Sequence, residues 1–249
     1  MLKITTTEKG FCWILADVHL SINSNNPINT HFLNFINTQA ANADAVFILG
    51  DLFEVWTGDD IGIDAYQIEV AALKKLTDSG TPVFLLFGNR DFLMRDLFVQ
   101  ESGVQILPDI NLIQLFGEDY LMLHGDTLCT DDSDYQRMRK ILRNQFIQYF
   151  LLKLSKKRRQ KIADAMRQKS KQQTKKKQQS IMDVNREAVE HLFQSFPQIS
   201  HLIHGHTHRP AHHQLIVNGK ARHRWVLGDW RPEAKLIKIS ASGPELIDW

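Results

Sequence analysis

Five separated stretches of this 249-residue chain each close an apolar run with side chains able to hold a metal. They are Asp17-Val18-His19, Gly50-Asp51, Gly88-Asn89-Arg90-Asp91, His124-Gly125-Asp126 and Gly205-His206-Thr207-His208. Any one alone is commonplace: a lone Gly-Asp is usually a turn, as we read Gly228-Asp229, and a lone histidine after a strand is usually a surface residue. Five in this order point to a metal centre. Carboxylate, imidazole and amide oxygen without thiolate make a borderline-hard donor set, suited to Mn, Fe or Zn rather than to copper or an iron–sulfur cluster. Asp17, His19, Asp51, Asn89, His124, His206 and His208 are seven candidate ligands, too many for one ion. Two ions about 3.5–4 Å apart on a shared carboxylate acidify a bound water and clamp phosphate oxygens for in-line attack. The chemistry implied is hydrolysis of a phosphate ester or anhydride.

These side chains need elements to position them. Trp13–Ala16, Val46–Leu49, Val83–Phe87, Leu121–Leu123 and Leu202-Ile203 are short unbroken apolar runs, the pattern of strands buried on both faces. The site therefore falls at the carboxyl ends of buried strands, where α/β sheets assemble their sites. An extended backbone would turn Asp17 and His19 the same way, and His206 and His208 likewise. Glycines 50, 88, 125 and 205 suit tight turns or close approach. Pro27 opens a helix with Ile28, Phe32, Phe35 and Ile36 on one face. Ala65, Ile68, Ala72 and Leu76 mark a second, ending at Gly80, and Ala188, Leu192, Phe193 and Phe196 a third, ending at Pro197. Leu215–Val217, Asn218-Gly219 and Trp225–Leu227 predict a hairpin, with further strands at Leu236–Ile239 and Leu246-Ile247.

A chain of this length with 43% hydrophobic residues can bury one substantial core. Two cysteines, Cys12 and Cys129, form no disulfide framework and suit a reducing compartment. No leader and no membrane-spanning run is expected. The formal charge of +2 conceals a basic block: residues 153 to 177 hold twelve Lys or Arg against Asp164, a local +11, which leaves the remainder at −9. Just before it, Tyr135, Met138, Ile141, Leu142, Phe146, Tyr149, Phe150 and Leu154 recur near helical spacing. Residues 131 to 180 read as a helical insertion. An apolar stripe usually packs onto the core, but beside dense positive charge it suits an anionic lipid surface. Such a run could instead bind nucleic-acid phosphates, although a binder needs no placed ligands and the run lacks aromatics for base stacking. His31, His191, His201, His212, His213 and His223 read as solvent-facing or structural, while His204 lies nearer the chemistry.

The blocks resemble the calcineurin-like metallophosphoesterases. In detail, LADVHLS from Leu15, ILGDLFE from Ile48, GNRDFL from Gly88, HGDTLC from His124, IMDVN from Ile181, HGHTHRP from His204 and LGDW from Leu227 are similar to the branch that cleaves an acylated UDP-glucosamine in lipid A biosynthesis. The resemblance implies an α/β fold, a four-layer αββα sandwich forming a single domain over 1–249, with a helical lid at about 131–180. It implies two divalent ions, commonly Mn2+, one on Asp17, His19, Asp51 and His208 and one on Asp51, Asn89, His124 and His206, so that Asp51 bridges. Arg90, Asn89 and His124 are its catalytic residues, and Asn89, Arg90, Asp132, Ser170, Thr174, Lys177 and His206 its substrate contacts; Thr174 stands where the family has Asn. Much of the superfamily has histidine at the Arg90 position, suited to protonating an alcohol leaving group. Arginine cannot donate a proton near neutral pH but its fork binds phosphate oxygens, which favours anhydride cleavage. The implied partners are the acylated UDP-sugar and the anionic cytoplasmic face of the inner membrane, with no nucleic acid, on a peripheral monomer.

Overall fold

The computed structural model describes residues 1–7, 9–176, 183–231 and 233–249, apart from the side chains of residues 169 and 171–176. From the amino terminus run β1 (Leu2–Lys3), β2 (Phe11–Leu15), α1 (Pro27–Thr38), β3 (Ala45–Ile48), α2 (Asp59–Ala65), α3 (Gln67–Asp78), β4 (Val83–Leu86), α4 (Asp96–Ser102) and β5 (Gln105–Leu107). There follow β6 (Ile110–Leu115), β7 (Glu118–Leu123), then α5 (Ser133–Leu142), α6 (Gln145–Lys153), α7 (Lys156–Lys176) and α8 (Arg186–Ser195) in succession. The chain ends in β8 (His201–His204), β9 (Ala211–Val217), β10 (Lys220–Val226), β11 (Lys235–Ser240) and β12 (Gly243–Asp248).

The strands form two six-stranded sheets, ordered β12-β11-β2-β3-β4-β5 and β1-β6-β7-β8-β10-β9. Because side chains alternate along a strand, the apolar runs serve two cores at once. Cys12, Ile14, Ala45 and Phe47 of the first sheet meet Tyr120, Met122, Ile203 and Trp225 of the second. On the first sheet's other face Trp13, Leu15, Val46 and Ile48 pack with Phe32 and Phe35 of α1, Val70 and Leu73 of α3 and Phe98 of α4. On the second sheet's other face Leu121, Leu123 and Leu202 pack with Val189 and Phe193 of α8. The result is four layers, helix, sheet, sheet, helix, as expected.

Parallel registers Leu15↔Ile48 and Ile48↔Leu85 level the ends of β2, β3 and β4, and Leu123↔His204 levels β7 and β8. Within each sheet the metal-bearing stretches therefore leave their strands at matching heights. The expected hairpin forms with Asn218 and Gly219 both at positive φ, 50° and 72°, as a two-residue primed turn requires.

Three expectations need correcting. The helix marked by Ala65, Ile68, Ala72 and Leu76 is two, broken at Tyr66, whose ring is buried against Phe53 and Trp56. Ile68 consequently faces solvent, and Glu69, Val70, Leu73 and Leu76 form the inward face. The stripe from 135 to 154 is also interrupted, because Asn144 caps a new helix by accepting from the backbone N–H groups of Phe146 and Ile147. It does not pack onto the core: Phe146 is 76% and Phe150 67% exposed, with Ile141 and Tyr149 exposed beside them. Arg159, counted with the basic run, is 5% exposed; it donates to Asp60 and the Thr57 carbonyl, fastening α7 to the start of α2. Among the described residues no helix is long and apolar enough to cross a membrane.

Candidate metal centre and substrate cleft

Two groups form at the levelled strand ends: Asp17 with His19 and His208, and Asp17 with Asp51 and His124, ligand atoms within 4.8 Å of one another in each. Asp51 Oδ2 stands 3.9 Å from both His19 Nε2 and His124 Nε2, between the two groups. His208 Nε2 lies 3.4 Å from His19 Nε2 and 3.5 Å from Asp17 Oδ1. The Asn89 amide closes the far side, 3.5 Å from His124 Nε2 and 3.3 Å from His206 Nδ1. All seven predicted ligands thus converge.

The backbone achieves this differently from the extended geometry expected. Asp17, His19, Asp51, His206 and His208 all have positive φ, between 53° and 70°. L side chains rarely adopt this conformation, and holding it costs energy that surrounding structure must supply. The loops after β2 and β3 lie side by side, Asp17 N–H donating to Gly50 O at 3.1 Å and His19 N–H to Asp51 O at 3.0 Å. Asp91 ties that pair to the next loop, its carboxylate accepting from Leu52 N–H at 2.8 Å and Gly88 N–H at 2.7 Å. Gly88 and Gly205 are close-approach glycines, since a Cβ on either would collide with the carboxylate of Asp51 or of Asp17.

Several of the ligands are held from behind, as metal-binding imidazoles generally are. His124 Nδ1 is 2.7 Å from the Leu49 carbonyl. His208 Nδ1 lies 3.4 Å from Asp229 Oδ2, so Asp229, read from sequence as a turn residue, braces a candidate ligand. His206 N–H donates to Asp17 Oδ2 at 2.7 Å, and Arg90 N–H to Asp51 Oδ1 at 3.0 Å. His204 is wholly buried between the Gly205 carbonyl and Arg224, its pKa driven down to about 3 by burial, and so serves as a neutral brace. Asp126 is a brace too: it accepts from Tyr135 Oη at 2.9 Å and Arg139 Nε at 2.6 Å, holding α5.

The electrostatics fit a cation. Burial pushes Asp51 up to about 7, against the pull of His124. Burial likewise opposes charge on Asp17, but the facing His208, His124 and His19 hold it below the usual carboxylate range. Burial depresses His19 to about 3 and His206 to about 4, leaving lone pairs free to bind. Among the described residues, Asp17 Oδ1 and His19 Nδ1 are buried without a hydrogen-bond partner. Against burial, the carboxylates instead hold His124 and His208 above the usual imidazole range, so a divalent ion would replace protons as the countercharge to these buried carboxylates.

Beside the centre opens a cleft of about 1020 Å³, counting its mouth, lined by Asn89 and Arg90 on one side and by Tyr135, Met138, Leu142 and Ser170 on the other. Of the predicted substrate contacts, Asn89, Arg90 and Ser170 line it, His206 stands against Asn89 in the candidate metal centre, and the Asp132 side chain caps α5 by accepting from Tyr135 N–H at 3.1 Å. The Thr174 side chain and Lys177 lie outside the described residues. The sequence reading missed Glu54, Arg167 and Arg143. Glu54 follows Asp51 by three residues, but a carboxylate at that distance carries no signal until the loop is folded.

A double-sheet sandwich with carboxylate, imidazole and amide side chains gathered at the strand ends defines a metallophosphoesterase. The chain belongs to the calcineurin-like phosphoesterase family, whose sequence model matches residues 12–210. It is 46% identical over 233 residues to a Yersinia pseudotuberculosis (serotype O:1b, strain IP 31758) protein named UDP-2,3-diacylglucosamine hydrolase, covering 94% of this chain and 96% of that one. A Yersinia pestis protein of the same name matches equally, at 46% over 94% and 96%. A solved archaeal phosphodiesterase aligns over 96% of this chain and 99% of its own at 11% identity and a TM-score of 0.48, too remote to carry weight.

Proposed function

We propose that this protein hydrolyses the pyrophosphate bond of UDP-2,3-diacylglucosamine, giving UMP and 2,3-diacylglucosamine 1-phosphate in lipid A biosynthesis. The observation that carries it is the 46% identity, over nearly the full length of both chains, to proteins named for hydrolysis of that compound. Asp17, His19, Asp51 and His208 would hold one divalent ion and Asp51, Asn89, His124 and His206 the other, with Mn2+ the ion in this reading. Bound there, the ions supply Lewis acidity that lowers the pKa of a water and offsets phosphate charge.

The protein's own groups do the rest. Water attacks the α-phosphorus, the bond from that phosphorus to the bridging oxygen breaks, and the sugar 1-phosphate leaves with that oxygen. Arg90, whose backbone N–H is fixed by Asp51, presents its guanidinium to the cleft and offers bidentate donors to the charged oxygens. No general acid is needed at that position, because the leaving phosphate monoester is already a stable anion. The lid expected over 131–180, whose residues 177–180 lie outside the described ones, closes over the cleft in this reading, with Tyr135, Met138 and Leu142 of α5 and Met166 of α7 giving it an apolar wall for acyl chains. Ile141, Phe146, Tyr149 and Phe150, exposed next to the basic α7, would rest on the anionic inner-membrane surface of the cytoplasmic side. The protein works as a peripheral monomer without a nucleic-acid partner.

The test is to incubate metal-loaded protein with UDP-2,3-diacylglucosamine and, separately, UDP-N-acetylglucosamine, and to follow UMP. We expect release from the first far faster than from the second. Similar efficiency on both would leave a general nucleotide pyrophosphatase as the better description.

A further inference from the structure

One carboxylate outside the metal cluster touches three of the groups around it. Glu54 Oε1 accepts from Arg90 Nη1 at 3.1 Å and from Arg167 Nη2 at 3.0 Å, while Oε2 stands 3.4 Å from His19 Nδ1. The four residues come from four places: the loops after β3, β4 and β2, and helix α7. Glu54, Arg90 and Arg167 all line the cleft.

Charge counting separates these arginines from the others there. Arg139 has Asp126 and Asp109, Arg159 has Asp60, and Arg143 has Asp109 at 3.5 Å together with the carbonyls of Phe87 and Gly88. Arg90 and Arg167 share one carboxylate. Their further partners are weaker: Asp51 Oδ2 lies 3.8 Å from Arg90 Nε and belongs to the candidate metal centre, and exposed Asp164 lies 3.9 Å from Arg167 Nη1. The trio therefore carries surplus positive charge toward the cleft. Arg167 Nε, like Arg159 Nε, is buried with no acceptor among the described residues, a donor that costs free energy until an oxygen meets it.

Two guanidiniums side by side repel, and a carboxylate between them lets both forks be held ready without rearrangement when an anion arrives. We infer that Glu54 is a positioning residue, holding Arg90 and Arg167 together as a two-arginine receptor for the substrate's diphosphate. Docking of α7 is thereby part of assembling the site. The inference rests on the reading above that the substrate is a diphosphate.

The experiment compares wild-type, Glu54→Gln, Arg167→Gln and the double variant as metal-loaded proteins. Three quantities are read: calorimetric affinity for inorganic pyrophosphate, kcat and KM on UDP-2,3-diacylglucosamine, and bound metal by elemental analysis. Each single variant should weaken pyrophosphate binding roughly tenfold to a hundredfold, as loss of a charge-assisted contact does. The loss should appear in kcat as well as KM, with metal content unchanged. The double variant should be little worse than the poorer single, because both changes dismantle one unit. Wild-type pyrophosphate affinity in Glu54→Gln, fully multiplicative losses, or metal loss from Glu54→Gln would each overturn the inference. Pyrophosphate binding that follows this pattern in a wild-type protein inert toward UDP-2,3-diacylglucosamine would instead overturn the substrate assignment and leave the receptor standing.

Discussion

Replacing Asp126 with alanine asks whether the braces of this site can be told from its ligands. The residue sits two positions after His124 and is 2% exposed, yet its carboxylate points to Tyr135 and Arg139 of α5 rather than into the metal groups. Breaking a buried ion pair from one side costs about 3–5 kcal/mol where the remaining charge is stranded. Arg139 keeps Asp109 at 2.8 Å and is partly exposed, so a loss of about 2–3 kcal/mol is the better figure. For a chain of this size that lowers Tm by about 4–12 °C. The pH dependence has a definite sign. Burial opposes the charge, but His124 and Arg139 hold the folded-state pKa down to about 2, below the unfolded value of about 3.9. The stabilisation is therefore complete above about pH 4 and is lost as pH falls toward 2. Thermal unfolding combined with elemental analysis reads both consequences. Asp126→Ala should keep its metal and lose stability, whereas Asp51→Ala should lose activity and much of its metal. Equal metal loss in the two variants would refute the division into ligands and braces.

Arg90→Ala should lower turnover on the order of 10²–10³ without changing metal content, and full restoration by Arg90→His with a bell-shaped pH profile would return a general acid to this position. Metal loading should release protons, because burial raises Asp51 to about 7 and the contacts of His208 to Asp17 and Asp229, overriding burial, raise it to about 10. Calorimetry in two buffers of different ionisation enthalpy should show protons displaced near pH 8 and more of them near pH 6; no buffer dependence would contradict the assignment. Leu142→Glu, on the cleft wall, should impair diacylated substrate, while Phe150→Glu, on the exposed outer face, should reduce binding to anionic vesicles; interchanged effects would show that the two faces are misassigned. Neutralising Lys156, Lys157 and Arg158 should also weaken vesicle binding, most visibly at low salt.

The sequence located the site because buried strands write themselves as unbroken apolar runs, and each run here ends in a polar block. Register then does what no local pattern shows, levelling the end of β2 with that of β3 and the end of β7 with that of β8, so that Asp17 and Asp51, and His124 and His206, leave adjacent strand ends. The left-handed backbone at Asp17, His19, Asp51, His206 and His208 was not legible. None of these is glycine, so the conformation is imposed by the flanking loops, and an extended reading was the natural error. The basic run was equally opaque. Counting charges cannot distinguish Arg159, turned inward onto Asp60, or Arg167, turned onto Glu54, from a lysine in solvent, because the difference lies in how α7 docks. The second helix was misread because its period runs unbroken through Tyr66, where burial of one ring against Phe53 and Trp56 divides it.

The central claim is water attack at the α-phosphorus of a diphosphate, and isotope placement tests it most directly. Metal-loaded protein turning over UDP-2,3-diacylglucosamine in ¹⁸O-enriched water should place one labelled oxygen in UMP and none in the 2,3-diacylglucosamine 1-phosphate, read by mass spectrometry of both products. Label in the sugar phosphate, or no cleavage of this substrate at all, would contradict the account.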